Sequence, residues 1–323
     1  MELTGDSALI GLLRAAVEKV APTGSRVMVT GPAGAGKEVV ARMIHARSRR
    51  ADGPFVALNC ATLNPSRFEE ELFGTEGSEA GGRRAGVLER AHGGTLLLDE
   101  VSDMPLETQG KIVRALQEQA FERVGGSGRV RVDVRVLSAT NKDLQAEIAA
   151  GRFREDLYYR LAVVPLRAPA LKERRDDIPP LARHFLARSA EASGSIAREL
   201  STDALTALQS YDWPGNVRQL RNLMDWLVIM APGGASDPIR AEMLPPEIGS
   251  AAPALFNSDP AADIMALPLR EARDLFETQY LQAQLLRFGG NISRTAGFVG
   301  MERSALHRKL KQLGITSDDK VAL

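Results

Sequence analysis

Short apolar runs alternate with longer amphipathic stretches along the first half of the chain, and that rhythm predicts its elements. Residues 7–20 space apolar positions by three and four, predicting a helix capped by Ser7 with Leu9, Leu12, Leu13, Ala16, Val17 and Val20 inward. Val27–Val29, Pro54–Leu58, Thr95–Leu98 and Val134–Ser138 are apolar runs of buried-strand length. Helical periodicity runs from Lys37, from Asn64-Pro65 to Gly74 and from Pro105 to Gln119, and the glycine-rich Val124–Arg129 predicts a hairpin. Strands alternating with helices imply an α/β core with a parallel sheet over about 170 residues. Three apolar-periodic helices follow, at Ile178–Ala190, Thr202–Gln209 and Val217–Met230, with Trp213 beside Pro214 read as packing. Ser250–Pro268, rich in Ala and Pro, reads as a linker. Leu269–Phe288 predicts a long amphipathic helix with Leu269, Ala272, Leu275, Phe276, Tyr280, Ala283 and Leu286 on one side. Past Gly289-Gly290, Ile292–Gly300 and Glu302–Leu313 form two short helices with Leu306, Leu310 and Leu313 inward, the pattern of a helix-turn-helix.

The chemistry concentrates where strands end. The run Val27–Val29 leads into Gly31-Pro32-Ala33-Gly34-Ala35-Gly36-Lys37, a spacing that fits a phosphate-cradling loop at a helix N-terminus. Glu38 stands where Ser or Thr usually holds the metal ion. Thr95–Leu98 delivers Asp99 and Glu100 to the carboxyl edge of the sheet, where Asp99 can hold magnesium and Glu100 can polarise a water. Asn141 follows another strand and could sense the outermost phosphate, or simply turn the chain. Between Thr75 and Gly86 the chain is glycine-rich and polar, without periodicity, and an exposed, mobile loop is expected there.

Composition narrows the partners. With 41 basic and 41 acidic side chains the chain has no net charge, so any nucleic-acid surface is local. Arg287, Arg294, Arg303, Arg308, Lys309 and Lys311 face only Glu302 between positions 287 and 313, a basic footprint suited to a phosphate backbone. Arg303, Ser304, His307, Arg308 and Lys311 fall on the outward side of the second short helix. The single cysteine, Cys60, fits a small core residue in a reducing compartment. No apolar run is long enough to span a bilayer, and a cytoplasmic protein is expected.

These residues resemble the AAA+ regulators of the NtrC type, the enhancer-binding activators of sigma-54 RNA polymerase. GPAGAGKE, FVALNC, ELFGTE, GGTLLLDE, FERVGG, SATNKDL, GRFREDLYYRL and YDWPGNVRQLRN occur in the family's order across nearly the whole length. The resemblance implies an AAA+ P-loop NTPase α/β core over residues 1–172 and a helical lid over 173–249. It places a linker at 250–267 and a Fis-type helix-turn-helix at 268–323 for DNA binding and dimerisation. It assigns ATP to Gly31, Pro32, Ala33, Gly34, Ala35, Gly36, Lys37, Glu38, Asn141 and the lid's Arg218. Lys37 is to meet the β- and γ-phosphates, Asp99 to hold Mg2+ and Glu100 to activate the water. Asn59 is the switch residue expected to contact Glu100. Arg154 and Arg160 match arginines that reach a neighbouring subunit's nucleotide; on residue chemistry alone, ion pairs with Glu155 and Asp156 on a solvated helix are the favoured reading. Arg294, Arg303, Ser304, His307, Arg308 and Lys311 are placed at promoter or enhancer DNA. Self-association is expected as a dimer through the C-terminal helices and as a ring through the AAA+ core.

Two departures qualify the resemblance. Gly77–Gly86 holds neither an aromatic residue nor a threonine, whereas the family's sigma-54 contact loop reads GAFTGA. The combination resembles the NtrX-type response regulators of two-component systems, and contact with RNA polymerase is left open. No phosphate-accepting receiver domain precedes residue 1, which implies a cut-down chain or another route of control. Three readings follow. One is an ATP-hydrolysing DNA-binding regulator without sigma-54 contact. The second is a sigma-54 activator with a degenerate loop, and the third uses nucleotide as an assembly switch without turnover.

Overall fold

The computed structural model describes residues 3–77, 82–234, 236–249, 277, 278, 281, 285, 292–299 and 301–312. The chain divides into two units, Met1–Ala252 and Pro253–Leu323.

The first unit is built on a five-stranded parallel sheet. Its strands are β1 (Val27–Thr30), β2 (Phe55–Asn59), β5 (Thr95–Asp99), β8 (Arg135–Thr140) and β9 (Val164–Arg167), in the order β2-β5-β8-β1-β9. Two small antiparallel pairs lie apart from it: β3 (Gly74–Thr75) with β4 (Arg84–Ala85), and β6 (Ala120–Glu122) with β7 (Arg129–Arg131). The alternation of strand side chains splits the core in two. Leu96 and Leu98 enter one apolar cluster while Leu97 enters the other. Helices α3 (Pro65–Phe73) and α5 (Leu106–Glu118) contribute to the first cluster. The second is covered by α1 (Ala8–Val20) and α2 (Lys37–Ala46). β9 is absent from the sequence reading because Pro165 interrupts its apolar run; on an edge strand the missing N–H is tolerated.

The stripe on α1 is shifted from the expected one. Ile10, Leu13, Val17 and Val20 are buried, whereas Leu9 and Leu12 are exposed. The inward set rises by three, four and three, which tracks the helical repeat better than the set beginning at Leu9. Ser7 does cap the helix, its hydroxyl accepting from the Ile10 N–H at 3.4 Å.

The Thr75–Gly86 loop has a built base. β3 pairs with β4, and Thr75 bridges to Val124 beside the β6–β7 hairpin. Arg123, buried there, donates to both carboxylate oxygens of Glu89 at 2.8 Å and to Glu76 at 2.7 Å. Residues 78–81 lie outside the described residues.

Helices α8 (Ile178–Ala192), α9 (Thr202–Ser210) and α10 (Asn216–Met230) form the lid around their own apolar cluster. Trp213 sits in that cluster with its indole N–H donating to the Leu208 carbonyl at 2.7 Å, a packing role as expected. Asp177, fully buried, ties the lid to the N-terminal segment by accepting the amides of Asp6 and Ser7, both at 2.8 Å.

In the second unit, α12 (Ile292–Val299) and α13 (Arg303–Gln312) close a small core of Leu281, Ala296, Leu306 and Leu310. Leu281, not on the face predicted for the preceding helix, is buried. The linker 250–267, most of Leu269–Phe288 and Leu313 lie outside the described residues. Among the described residues no helix is long and apolar enough to cross a membrane.

Candidate functional site

β1 carries the chain to the carboxyl edge of the sheet and releases it into Gly31–Gly36, after which α2 begins. The loop needs its glycines. Gly34 has φ +75°, and a Cβ there would lie 2.2 Å from the Gly215 carbonyl of the lid. A Cβ at Gly31 would meet the Ala168 carbonyl at 2.4 Å. No side chain caps α2, so its first amides are left for an anion, with the helix dipole behind them.

Lys37 folds back under the loop. It is 6% exposed, and its Nζ donates to the Gly31 carbonyl at 3.0 Å and lies 3.2 Å from Glu100 Oε1. The ammonium is thus held beside the carboxylates that β5 delivers. Glu100 adopts a left-handed backbone, φ +50°, a strained state for a side chain of this size. Its Oε2 accepts the Asn141 N–H at 3.0 Å, so β8's end orients it. Asp99 Oδ1 accepts the Glu100 N–H at 3.1 Å. Burial, then the charge of Glu100, push the Asp99 carboxyl above its usual range, opposed by Lys37.

Two carboxylates against one ammonium leave the strand end short of positive charge, which is the setting a divalent cation fits. Among the described residues no group of three or more metal-ligating side chains occurs. A magnesium ion here would therefore share Asp99 with phosphate oxygens, as that ion commonly does. Glu38 takes no part in the loop; its Oε1 accepts from Arg42 at 2.9 and 2.7 Å.

The other candidates are placed unevenly. Asn59 stands beside Asp99 in the β2–β5 register, but the expected contact with Glu100 is not made. Its Oδ1 accepts the Ala61 N–H at 2.9 Å, a local turn that competes for the side chain. Arg154 caps α7 (Glu155–Leu161) and pairs with Asp156 at 3.0 and 2.7 Å. Arg160 is half-buried on the same helix, and its carbonyl accepts from Arg26 at 3.4 Å. Arg218 has an exposed side chain, while its N–H donates to the Gly34 carbonyl at 3.3 Å. Cys60 is buried, and burial together with Asp99 pushes its thiol up, which leaves it unreactive.

Two residues beside the loop escape the sequence reading. Asn216 donates to the Ala33 carbonyl at 2.9 Å, and Arg174 donates to that of Ala35 at 3.1 Å. Asn216 had a legible signal, since a turn at Pro214-Gly215 favours Asn in the left-handed region it occupies at φ +51°. Arg174 had none, because its neighbours are equally charged.

On α13, Arg303, Ser304, His307 and Arg308 are all exposed while Leu306 and Leu310 are buried. Arg294 is exposed on α12, and Lys309 pairs with Glu277. The side chain of Lys311 lies outside the described residues.

Comparison with known proteins agrees with this layout. A sigma-54 interaction domain model matches residues 3–167, an AAA+ ATPase lid model 172–260, and a bacterial regulatory Fis-family model 272–313. The nitrogen assimilation regulatory protein NtrX of Azorhizobium caulinodans is 56% identical over 97% of this chain and 69% of its own length. The regulatory protein AtoC of Escherichia coli is 41% identical over 98% of this chain and 68% of its length. A crystal structure of NtrX from Brucella abortus in complex with ATP is 57% identical, with a TM-score of 0.74, over 97% of this chain and 70% of that one. The chain therefore belongs to the NtrX/NtrC-type family of sigma-54-type regulators, with an AAA+ P-loop core, a lid and a Fis-type helix-turn-helix.

Proposed function

We propose that the chain is a DNA-binding transcription regulator that binds and hydrolyses ATP at an interface between its own copies, and that it does so without engaging sigma-54. The observation that carries the hydrolytic reading is the convergence of Lys37 Nζ on Glu100 Oε1, 3.2 Å away, at the mouth of an uncapped helix. The NtrX relative crystallised with ATP supports the choice of nucleotide.

In this reading the amides of Gly31–Lys37 and the Lys37 ammonium hold the phosphates. Glu100, oriented by the Asn141 amide, takes the proton of the attacking water. Asp99 would hold a magnesium ion, which would supply charge neutralisation at the phosphates when bound. Arg154 and Arg160 of a neighbouring copy neutralise the charge that spreads over the transferring group. An arginine supplied in trans makes hydrolysis conditional on assembly. The exposed row Arg303, Ser304, His307 and Arg308 takes the major groove, with Arg294 on the backbone.

Sigma-54 contact is set aside because Gly77–Gly86 has no apolar anchor for a desolvated patch. Phosphate release measured against protein concentration tests the whole reading. A steep rise with concentration, lost in Arg154→Ala, is expected; zero turnover at every concentration would leave nucleotide as an assembly switch. ATP-dependent open-complex formation on a sigma-54 promoter would overturn the polymerase part alone.

A further inference from the structure

A phosphate loop can turn its amides toward an anion only if its carbonyls turn away, and buried carbonyls need donors of their own. Here three successive carbonyls are met from the lid. Ala33 receives the Asn216 side-chain amide at 2.9 Å, Gly34 the Arg218 N–H at 3.3 Å and Ala35 the Arg174 guanidinium at 3.1 Å. The Asn216 amide also works in the other direction, its Oδ1 accepting the Leu171 N–H at 2.8 Å. One side chain thus joins the loop, α10 and the short 3-10 segment Leu171–Asp177 that carries Arg174.

Neither residue is placed as packing alone would place it. Arg174 is 4% exposed, its backbone breaks the helical run at φ −137° and ψ 52°, and its Nε has no hydrogen-bond partner among the described residues. Asn216 is 3% exposed and holds a left-handed backbone. Burial disfavours the Arg174 guanidinium and the neighbouring Asp177 carboxylate offsets only part of that, so an apolar side chain would fill the same space at less cost if holding the Ala35 carbonyl did not matter. The arrangement makes sense if the position of the lid is to be felt by the loop.

We propose that Asn216 and Arg174 are a latch: positioning residues through which the lid sets the shape of the phosphate loop. Rotation of the lid relative to the sheet then changes nucleotide affinity directly, by freeing or seating the carbonyls of Ala33 and Ala35. The coupling is reciprocal, so a bound nucleotide must also fix the lid. The inference rests on the nucleotide reading above for its functional part. Its structural part, that lid donors hold the loop, can be measured without nucleotide.

The test uses the full chain and three variants. Asn216→Asp keeps the shape and the acceptor for Leu171 but replaces the donor facing Ala33 by an oxygen. Arg174→Met removes the donor to Ala35, and Arg174→Lys restores one. In nucleotide-free protein, hydrogen exchange at the Ala35 amide, bonded to the Pro32 carbonyl, and at the Arg218 amide, bonded to that of Gly34, is expected to quicken about tenfold in Asn216→Asp and Arg174→Met, the equivalent of one hydrogen bond lost. Affinity for a fluorescent ADP analogue is expected to fall by about the same factor, with most of it regained in Arg174→Lys. Variants that melt at lower temperature yet keep native loop exchange and native ADP affinity would overturn the latch, leaving a structural role only. A natural chain that binds no ADP would sink the nucleotide reading, while loop exchange would still decide the latch. If Asn216→Asp does not fold, the two Arg174 variants decide it by the same measurements.

Discussion

Lys37 and Arg154 are both cations suited to phosphate chemistry, yet the chain holds them in opposite ways. Lys37 is almost wholly buried, gripped by the Gly31 carbonyl and the Glu100 carboxylate. The Arg154 side chain is 48% exposed and, among the described residues, pairs with Asp156, itself 47% exposed and two residues further along the chain. Freeing a buried partner leaves an uncompensated charge, whereas a surface pair gives up its geometry at little cost. The difference teaches that one cation is fixed inside the single chain while the other is held loosely enough to serve, as proposed, a second one.

The strongest way to break that contrast is to remove the exposed half. If Arg154 acts in trans, Arg154→Ala is expected to lower phosphate release by roughly 10³–10⁵-fold. Equilibrium binding of ATP should change by less than about twofold, since the loop and Lys37 remain. Mixing Arg154→Ala with Lys37→Ala protein should then recover activity neither has alone, because one copy keeps a sound loop and the other a sound arginine. Equal losses of binding and turnover, with no recovery on mixing, would place Arg154 in its own chain's site.

Removing the buried half should act on binding first. Lys37→Ala is expected to weaken ATP by about 10–100-fold, the range for a charge-assisted hydrogen bond to phosphate. It also leaves Glu100 facing the loop without its ammonium, at about 1–3 kcal/mol of folding stability. Urea unfolding of the nucleotide-free protein reads that second effect independently. A variant of native stability and native affinity would show that Lys37 is not the loop's cation.

The unequal treatment of the two halves also explains what the sequence made legible. Gly31–Lys37 and Asp99-Glu100 are local patterns, because strand, turn and charge follow one another within a few residues. Their meeting was legible too, since parallel strands all end at one edge. Asn216 and Arg174 were not, for they act across more than 130 residues of chain and touch backbone, which carries no sequence signal. β9 was hidden by Pro165, and the inward face of α1 was read with Leu9 and Leu12 in place of Ile10, while Leu13, Val17 and Val20 are buried as expected. The Asn59 side chain instead makes a local turn, its oxygen accepting the Ala61 N–H, an orientation that the residue type alone does not dictate.

A smaller effect separates chemistry from stability at the buried half. The Asp99 carboxyl is raised by burial and by Glu100, so folding disfavours its charged form. An acid whose folded pKa exceeds its unfolded one weakens the fold above both values, and the penalty disappears as pH falls through the carboxylate range. Asp99→Asn is therefore expected to raise the melting temperature of the nucleotide-free protein at pH 7. The gain should shrink on acidification toward pH 4, while magnesium-dependent turnover is lost throughout. A melting temperature that falls at pH 7 would mean that Asp99 is held by contacts that favour its charge.

The smallest expected effect belongs to the partner of the exposed arginine. The Asp156 carboxyl is held below its usual range, chiefly by its hydrogen bond from Arg154. That contribution is present above the unfolded pKa and is lost as pH falls through the folded one. Because both groups face solvent, it is screened and small, and Asp156→Ala should leave the melting temperature within about 2 °C of native. Its consequence for assembly runs the other way. A freed Arg154 no longer gives up an ion pair before reaching a neighbour's phosphates, so half-maximal phosphate release should occur at a lower protein concentration. Added salt weakens the Arg154–Asp156 pair in the native chain, so the gap between native and variant midpoints should narrow as ionic strength rises. A midpoint shifted to higher concentration would instead mean that Asp156 holds Arg154 in its working pose, and the exposed pair would then be part of the site rather than its resting state.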